Sequence, residues 1–224
     1  MRARASPVAA RAMGASARDG RSRAPRATTL PELDARADAR PIRPRHLVAN
    51  EIVVVDDALT ARDCARIVDA IGDDFAASSS RGPRHGEAWR RNGRFAETSE
   101  AFARRLFETA RVAATFGFEI DDAVGLNPNI RVYRYREREH FGAHVDERVT
   151  ALGRRSKYTA LFYLSEDVEG GSTIFYDDVG NERCRVRPKI GRALYFRHGA
   201  DMPEHEGEEV RKGTKYVLRS DVLF

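Results

Sequence analysis

Apolar positions change their period partway along the chain. In "LTARDCARIVDAIGDDF" the residues Cys64, Ile67, Val68 and Ile71 recur at the three- and four-residue intervals of one helix face. Thr60 stands just before the first turn, with Asp63 three residues on, which predicts a capped helix start. A second helix is predicted over "EAFARRLFETARVAATF", where Phe102, Leu106 and Phe107 share a face. Ahead of both, "LVANEIVVVDD" predicts a strand. Between the helices, "SSSRGPRHGEAWRRNGRFAETS" is polar and rich in Gly and Arg, the pattern of a long loop. Loops of that length commonly act as lids. Trp89 with Arg90, Arg91, Asn92 and Arg94 therefore reads either as a substrate lid or as solvated basic surface.

From residue 129 onward short β-type runs replace the helical period: "NIRVYRYR", "KYTALFYLSE", "STIFYDD", "RCRVRPK", "GRALYFRHG" and "KYVLRSDVLF". "EGG", "DDVGNE" and "RKGT" punctuate them as turns. Many short strands with Gly-marked turns predict a sandwich, jelly roll or barrel. Two helices ahead of such a run predict helices packed outside one sheet. No internal repeat is present.

At 224 residues the chain suits one domain plus an appendage and buries a sizeable core without disulfides. No run of 18 apolar residues exists, which predicts no membrane span. The net charge of +5 hides an asymmetry. Residues 1–46 hold eleven Arg against four acids, whereas the remainder carries 28 basic and 30 acidic residues. A nucleic-acid binder places its basic surplus on the folded domain, so nucleic acid is not the expected partner. Cys64 and Cys184 match neither a disulfide framework nor a zinc site. The first thirty residues, rich in Arg, Ala and Ser, lack an apolar h-region. They read as an organellar transit segment or as a tail from an Arg- and Ala-biased genome. The expected organisation is a tail and linker over 1–46 and one domain over 47–224, intracellular or organellar and not secretory.

The chemistry begins in "REREHFGAHVDERV". If the preceding strand type continues through Val145, His144 and Asp146 point to one face, because residues i and i+2 of a strand do. Such a pair can bind a metal, share a proton or form a surface ion pair. A third donor, His205, stands just before the last predicted strand. Two His and one carboxylate on one side of an iron leave positions open for substrate and oxygen, whereas a closed zinc site wants four ligands, commonly with Cys.

These segments carry a family resemblance over about ninety residues. "YREREHFGAHVD", "YLSEDVEGGSTIF", "VRPKIGRALYF" and "HEGEEVRKGTKYVLRSDVLF", in that order, resemble the prolyl 4-hydroxylase-like branch of the Fe(II)/2-oxoglutarate-dependent oxygenases. The resemblance implies an α+β, β-dominated domain with a double-stranded β-helix (jelly-roll) core and flanking N-terminal helices. It implies His144, Asp146 and His205 as iron ligands and Lys215, ten residues after His205, as the partner of the distal 2-oxoglutarate carboxylate. Tyr135 and Tyr163 match positions whose hydroxyls help hold the cosubstrate, with Thr159 assisting and Arg219 in reserve for the task of Lys215. Fe(II), 2-oxoglutarate, O2 and ascorbate are the implied cofactors. His140 and His198 read as turn and structural residues, while His46 and His85 carry no supporting context. One departure stands out: the family's Gly-Gln is Arg138-Glu139 here, which puts the turn before His140, and substrate access with it, outside the pattern.

The function this implies is hydroxylation of an aliphatic C–H in a protein or peptide, with proline the default and 2-oxoglutarate decarboxylated to succinate. A hydroxylase of a free amino acid or metabolite stands as the alternative. A nucleic-acid demethylase fits poorly with the acidic domain, and a non-catalytic jelly-roll module has no need of the triad and the lysine together. The substrate and oligomeric state stay open at this level.

Overall fold

The computed structural model describes residues 29–34, 41–85, 87–119, 121–199, 202 and 204–224. The expected tail and transit segment, residues 1–28, lies outside them. The N-terminal part comprises β1 (Arg45–Val48), β2 (Ile52–Val55), α1 (Ala61–Ile71), β3 (Ala76–Ser79), β4 (Arg90–Thr98), α2 (Glu100–Thr109), α3 (Val112–Thr115) and β5 (Gly125–Leu126). The C-terminal part is almost entirely strand: β6 (Asn129–Tyr135), β7 (His140–His144), β8 (Thr150–Ala151), β9 (Arg154–Tyr163), β10 (Val168–Gly170), β11 (Thr173–Tyr176), β12 (Glu182–Val186), β13 (Ala193–Arg197), β14 (His205–Gly207), β15 (Val210–Gly213) and β16 (Lys215–Leu223). One run of antiparallel pairings goes β2-β13-β9-β16-β6-β4, and β4 passes it on to β7-β14-β11-β12. The sheet thus folds over on itself as a jelly roll, with β10 and β15 as a separate ribbon.

Alternation decides what each strand offers to either side. Ile130 and Val132 of β6, Tyr158, Ala160 and Phe162 of β9, and Leu218 and Val222 of β16 pack in one core with Cys64 and Ile67 of α1 and Phe102 and Leu106 of α2. The intervening Tyr133, Tyr135, Tyr163 and Val217 belong to a second core, with Phe175 and Phe196, between the two halves of the sheet. The helices therefore cover the outer face of the larger half, as predicted. Each is capped from its own sequence: the Thr60 hydroxyl accepts from the Asp63 N–H at 3.0 Å, and the Ser99 hydroxyl accepts from the Phe102 N–H at 3.2 Å.

Three expectations change. "LVANEIVVVDD" forms a hairpin, not one strand, because Asn50 takes a left-handed φ of 58°. The predicted long loop contains two strands, and its "RRNGRFAET" becomes β4, bonded on both sides by β3 and β6. Its alternation was masked because neither face is uniform: exposed Arg94 shares one with buried Asn92, and exposed Arg91 shares the other with buried Phe95. The second helix breaks at Arg111, which is also left-handed (φ 52°). Packing also reaches upstream of residue 47, since Leu30 and Leu33 are buried against the helices and the Thr29 N–H donates to Glu97.

Arg138 answers the question raised by the missing Gly. It adopts φ 64°, the conformation the glycine would take freely, and its N–H donates to the Val210 carbonyl at 2.8 Å. The turn is kept, with a side chain in a conformation that costs L-residues roughly 1–2 kcal/mol, partly offset by the entropy a glycine would lose. Arg138→Gly is expected to raise stability in urea denaturation by up to about 1 kcal/mol; a loss of stability would show that the Arg138 side chain holds the turn.

Candidate active site

Register brings the two histidines together. On the antiparallel pair β7–β14, His144 lies directly opposite His205, and their rings are 4.3 Å apart. Strand β7 ends at His144, so Asp146 reaches the same place from the following loop and not from a continued strand. One donor atom each of His144, Asp146 and His205 lies within 4.8 Å of the others. The His144 Nδ1–H is oriented by the Gly142 carbonyl at 2.8 Å, which leaves Nε2 as the free donor atom, and the ring is stacked on Phe141 at 3.8 Å. His205 is buried, its ring 4.4 Å from that of Phe196.

The electrostatics suit a cation. Burial pushes the His205 imidazole down to about 3 and lowers His144 as well, so both are neutral lone-pair donors at pH 7. Burial works against the Asp146 carboxylate, yet Arg219, the two histidines and the Thr159 hydroxyl outweigh it and hold Asp146 well below the usual carboxylate range. Its contacts with the imidazoles, at 3.8 Å, are thus between an anion and neutral rings. Two neutral imidazoles and one carboxylate on one side of an ion are the donor set of non-haem ferrous sites.

Asp146 is held at both oxygens. Arg219 Nη1 donates to Oδ1 at 2.9 Å, and the Thr159 hydroxyl donates to Oδ2 at 2.6 Å. Since Thr159 spends its proton on Asp146, its oxygen accepts from His198 Nε2 at 3.1 Å, and His198 Nδ1 then accepts from the Ser156 hydroxyl at 3.3 Å. This chain assigns the His198 tautomer through its partners. Behind Arg219 stands Asp221, fully buried, which accepts from Arg131 at 3.0 Å and from Asn127 at 2.8 Å.

A narrow cleft opens onto the triad and is lined by Tyr133, Tyr135, Phe141, Leu161, Thr173, Phe196, Lys215 and Arg219, among others. Lys215 is buried, and burial lowers its ammonium to about 8. Its Nζ lies 5.1 Å from the Tyr135 ring and 5.7 Å from the Tyr163 ring. Among the described residues it has no hydrogen-bond or ion-pair partner. Tyr135 lies on the cleft wall, whereas Tyr163 sits behind it and bonds Thr173 through its hydroxyl at 2.7 Å. Thr159 is placed at Asp146 and not on the cleft wall. Trp89 is 56% exposed at the start of β4, and the Arg90 guanidinium lies 4.8 Å from the Tyr133 ring and 4.6 Å from the Phe141 ring. Thr173, Arg131, Asp221 and the role of His198 escaped the sequence reading; their only signal is strand parity, which puts Asp221 on the face of Lys215 and Arg219.

The jelly roll thus gathers two neutral imidazoles, a carboxylate and a buried cation around one cleft. Residues 130–220 match the family model described as the 2OG-Fe(II) oxygenase superfamily. Human prolyl 3-hydroxylase 2 and chicken prolyl 3-hydroxylase 1 are each 36% identical to this chain over 62 residues, 27% of its length. The aligned part is 9% and 8% of those proteins, so the chain spans under a tenth of these curated relatives. Among solved structures, the viral collagen prolyl hydroxylase of Paramecium bursaria Chlorella virus-1 aligns over 80% of this chain and 99% of its own (TM-score 0.55, 14% identity). A Pseudomonas putida prolyl-4-hydroxylase aligns over 79% and 95% (TM-score 0.54, 18% identity). A Trichoplax adhaerens prolyl hydroxylase, solved with a hypoxia inducible factor peptide, aligns over 78% and 84% (TM-score 0.55, 14% identity). At these identities the structural matches establish the fold. No helix among the described residues is long and apolar enough to cross a membrane.

The buried histidines also predict how the apoprotein responds to acid. His205 binds its proton near pH 6.5 when unfolded but only near 3 when folded, so the unfolded state takes up more protons between these values and stability falls as pH drops. The expected slope from His205 is about 1.4 kcal/mol per pH unit below pH 6.5. Chemical denaturation from pH 7 to pH 4 should show it, flattened in His205→Gln; an equal slope in both proteins would mean that His205 is solvated.

Proposed function

We propose that this protein is a ferrous-iron and 2-oxoglutarate-dependent dioxygenase that hydroxylates an aliphatic C–H in a peptide or protein, a prolyl residue being the default substrate. The observation that carries the cosubstrate assignment is Lys215. An ammonium with no hydrogen-bond or ion-pair partner among the described residues, enclosed by aromatic rings beside the triad, is costly unless an anion enters to meet it. A dicarboxylic 2-oxo acid satisfies both ends of the cleft, its distal carboxylate on Lys215 and its oxo-acid end toward the triad.

Iron held by His144, Asp146 and His205 supplies the activation of O2 coupled to decarboxylation of 2-oxoglutarate to succinate and CO2, with ascorbate as the reductant that restores the ferrous state. The chain does the rest. Lys215 fixes the cosubstrate's depth, and the Tyr135 and Thr173 hydroxyls on the wall are the donors beside it. Tyr163 acts through Thr173, which it orients. Thr159 is reassigned from the cosubstrate to the Asp146 carboxylate. Phe141, Leu161, Phe196 and Val217 close the walls with apolar surface and keep water from the reacting atoms. Peptide substrates are supported by the kinship with prolyl hydroxylases, one of which was solved with a peptide bound. The exposed Trp89, whose backbone carbonyl accepts from the Gly142 N–H of β7, offers a flat apolar surface to a proline ring.

Anaerobically iron-loaded protein given 2-oxoglutarate and then O2 is expected to form succinate, and His144→Ala is expected to form none. Lys215→Ala should raise the KM for 2-oxoglutarate roughly a hundredfold, the scale of one charge-assisted hydrogen bond. Unchanged KM in Lys215→Ala would remove the lysine from the cosubstrate site. A hydroxylation screen of prolyl peptides against free amino acids decides the substrate class.

The lowered Lys215 value also sets a pH dependence. With the ammonium titrating at about 8 in the free site, the fraction competent to meet a carboxylate falls about tenfold between pH 7 and pH 9. Calorimetric titration of 2-oxoglutarate into the metal-loaded protein should weaken by that factor across the interval, and a pH-independent affinity would contradict the pairing.

A further inference from the structure

Arg219 lies on the same inward face of β16 as Lys215 and lines the same cleft, yet its charge is already engaged. Nη1 meets Asp146 Oδ1 at 2.9 Å, and Nη2 stands 3.7 Å from Oδ1 of the fully buried Asp221. Asp221 is tied in turn to Arg131 and Asn127. On the other side, Oδ2 of Asp146 receives the Thr159 hydroxyl at 2.6 Å, at the end of the His198–Ser156 chain. A carboxylate with one rigid donor on each oxygen cannot turn about its Cβ–Cγ bond without releasing one of them.

We propose that Arg219 is a positioning residue which, opposite Thr159, locks the Asp146 carboxylate so that it serves the metal through one oxygen and leaves the neighbouring positions to 2-oxoglutarate. The inference rests on the iron site proposed above. The two clamps differ in charge, and that difference makes the idea testable. Thr159 is neutral and only orients. Arg219 orients as well, but its cation also repels a dication at the triad and draws charge from the ligand. Removing Arg219 therefore frees the carboxylate to chelate through both oxygens and makes it the stronger ligand for the metal. The cosubstrate then loses one of the positions it needs.

The experiment measures two affinities separately, without turnover: Mn(II) binding to apoprotein by calorimetry, and 2-oxoglutarate binding to the Mn(II)-loaded protein. In Arg219→Met, Mn(II) is expected to bind at least as tightly as in wild type, while 2-oxoglutarate binding weakens roughly tenfold or more. Thr159→Val, nearly isosteric and without a change of charge, frees the same carboxylate and should weaken 2-oxoglutarate binding while Mn(II) binding stays close to wild type. Arg219→Lys should recover part of the cosubstrate affinity. Loss of Mn(II) and 2-oxoglutarate affinity in parallel in Arg219→Met would mean a merely structural ion pair and would overturn the proposal, as would unchanged 2-oxoglutarate binding. Should Arg219→Met not fold, Thr159→Val decides: retention of both affinities would show that Asp146 is not clamped. Wild-type protein that binds no Mn(II) would overturn the iron site itself, and this inference with it.

Discussion

The two-residue period of three long strands is the constraint on which the rest of the structure depends. β6, β9 and β16 lie side by side in the larger half of the sheet, and every second residue of each must face the helices. That face is mostly apolar and is covered by α1 and α2, which anchors the sheet. The other face is then free to carry a chemical site. On β16 it presents Lys215, Val217, Arg219 and Asp221 in succession, and on β9 Thr159, Leu161 and Tyr163. A slip of one residue in either strand would send these groups into the apolar layer and Leu218 or Phe162 into the cleft, so the burial of one face enforces the register of the other.

Charge inside that second layer is balanced locally. Asp146 and Asp221 are both buried, and Arg219 and Arg131 meet them one for one. An isolated buried carboxylate would raise its pKa and go neutral; the arginines prevent this, and Asp146 stays ionised where a metal needs an anion. Lys215 is the exception. Its cation has no partner among the described residues, and its lowered pKa records the cost of burial without a counter-charge. The same strand thus holds one cation that is satisfied and one that is waiting for a ligand.

Much of this was legible in the sequence. The two amphipathic helices, the jelly-roll run and the gathering of His144, Asp146 and His205 follow from spacing and from family motifs. What was hidden shares a physical cause. β4 looked like a loop because each of its faces mixes exposed Arg with a buried residue, Arg94 with Asn92 and Arg91 with Phe95, so neither side shows a clean apolar repeat. The hairpin at Asn50 and the helix break at Arg111 depend on left-handed conformations at residues other than Gly, which composition does not flag. The partners of Asp146 come from β9 and β16, distant in sequence, and only pairing between those strands brings Thr159 opposite Asp221. Motif spacing picked out the three candidate ligands; their supports are a property of the sheet.

The short segment Thr29–Asp34 docks on the helix side of the larger sheet half. Leu30 and Leu33 are buried there, and Asp34 meets Arg66 of α1 at 3.0 Å. The cleft opens on the opposite face of that same sheet layer. The polypeptide therefore joins the domain behind the wall that carries the chemistry, with two layers of side chains in between. Substitutions that loosen Leu30 or Leu33 therefore act on the helix side and reach the cleft through β6, β9 and β16, so the anchoring of this segment is mechanically separate from the chemistry of the opposite face.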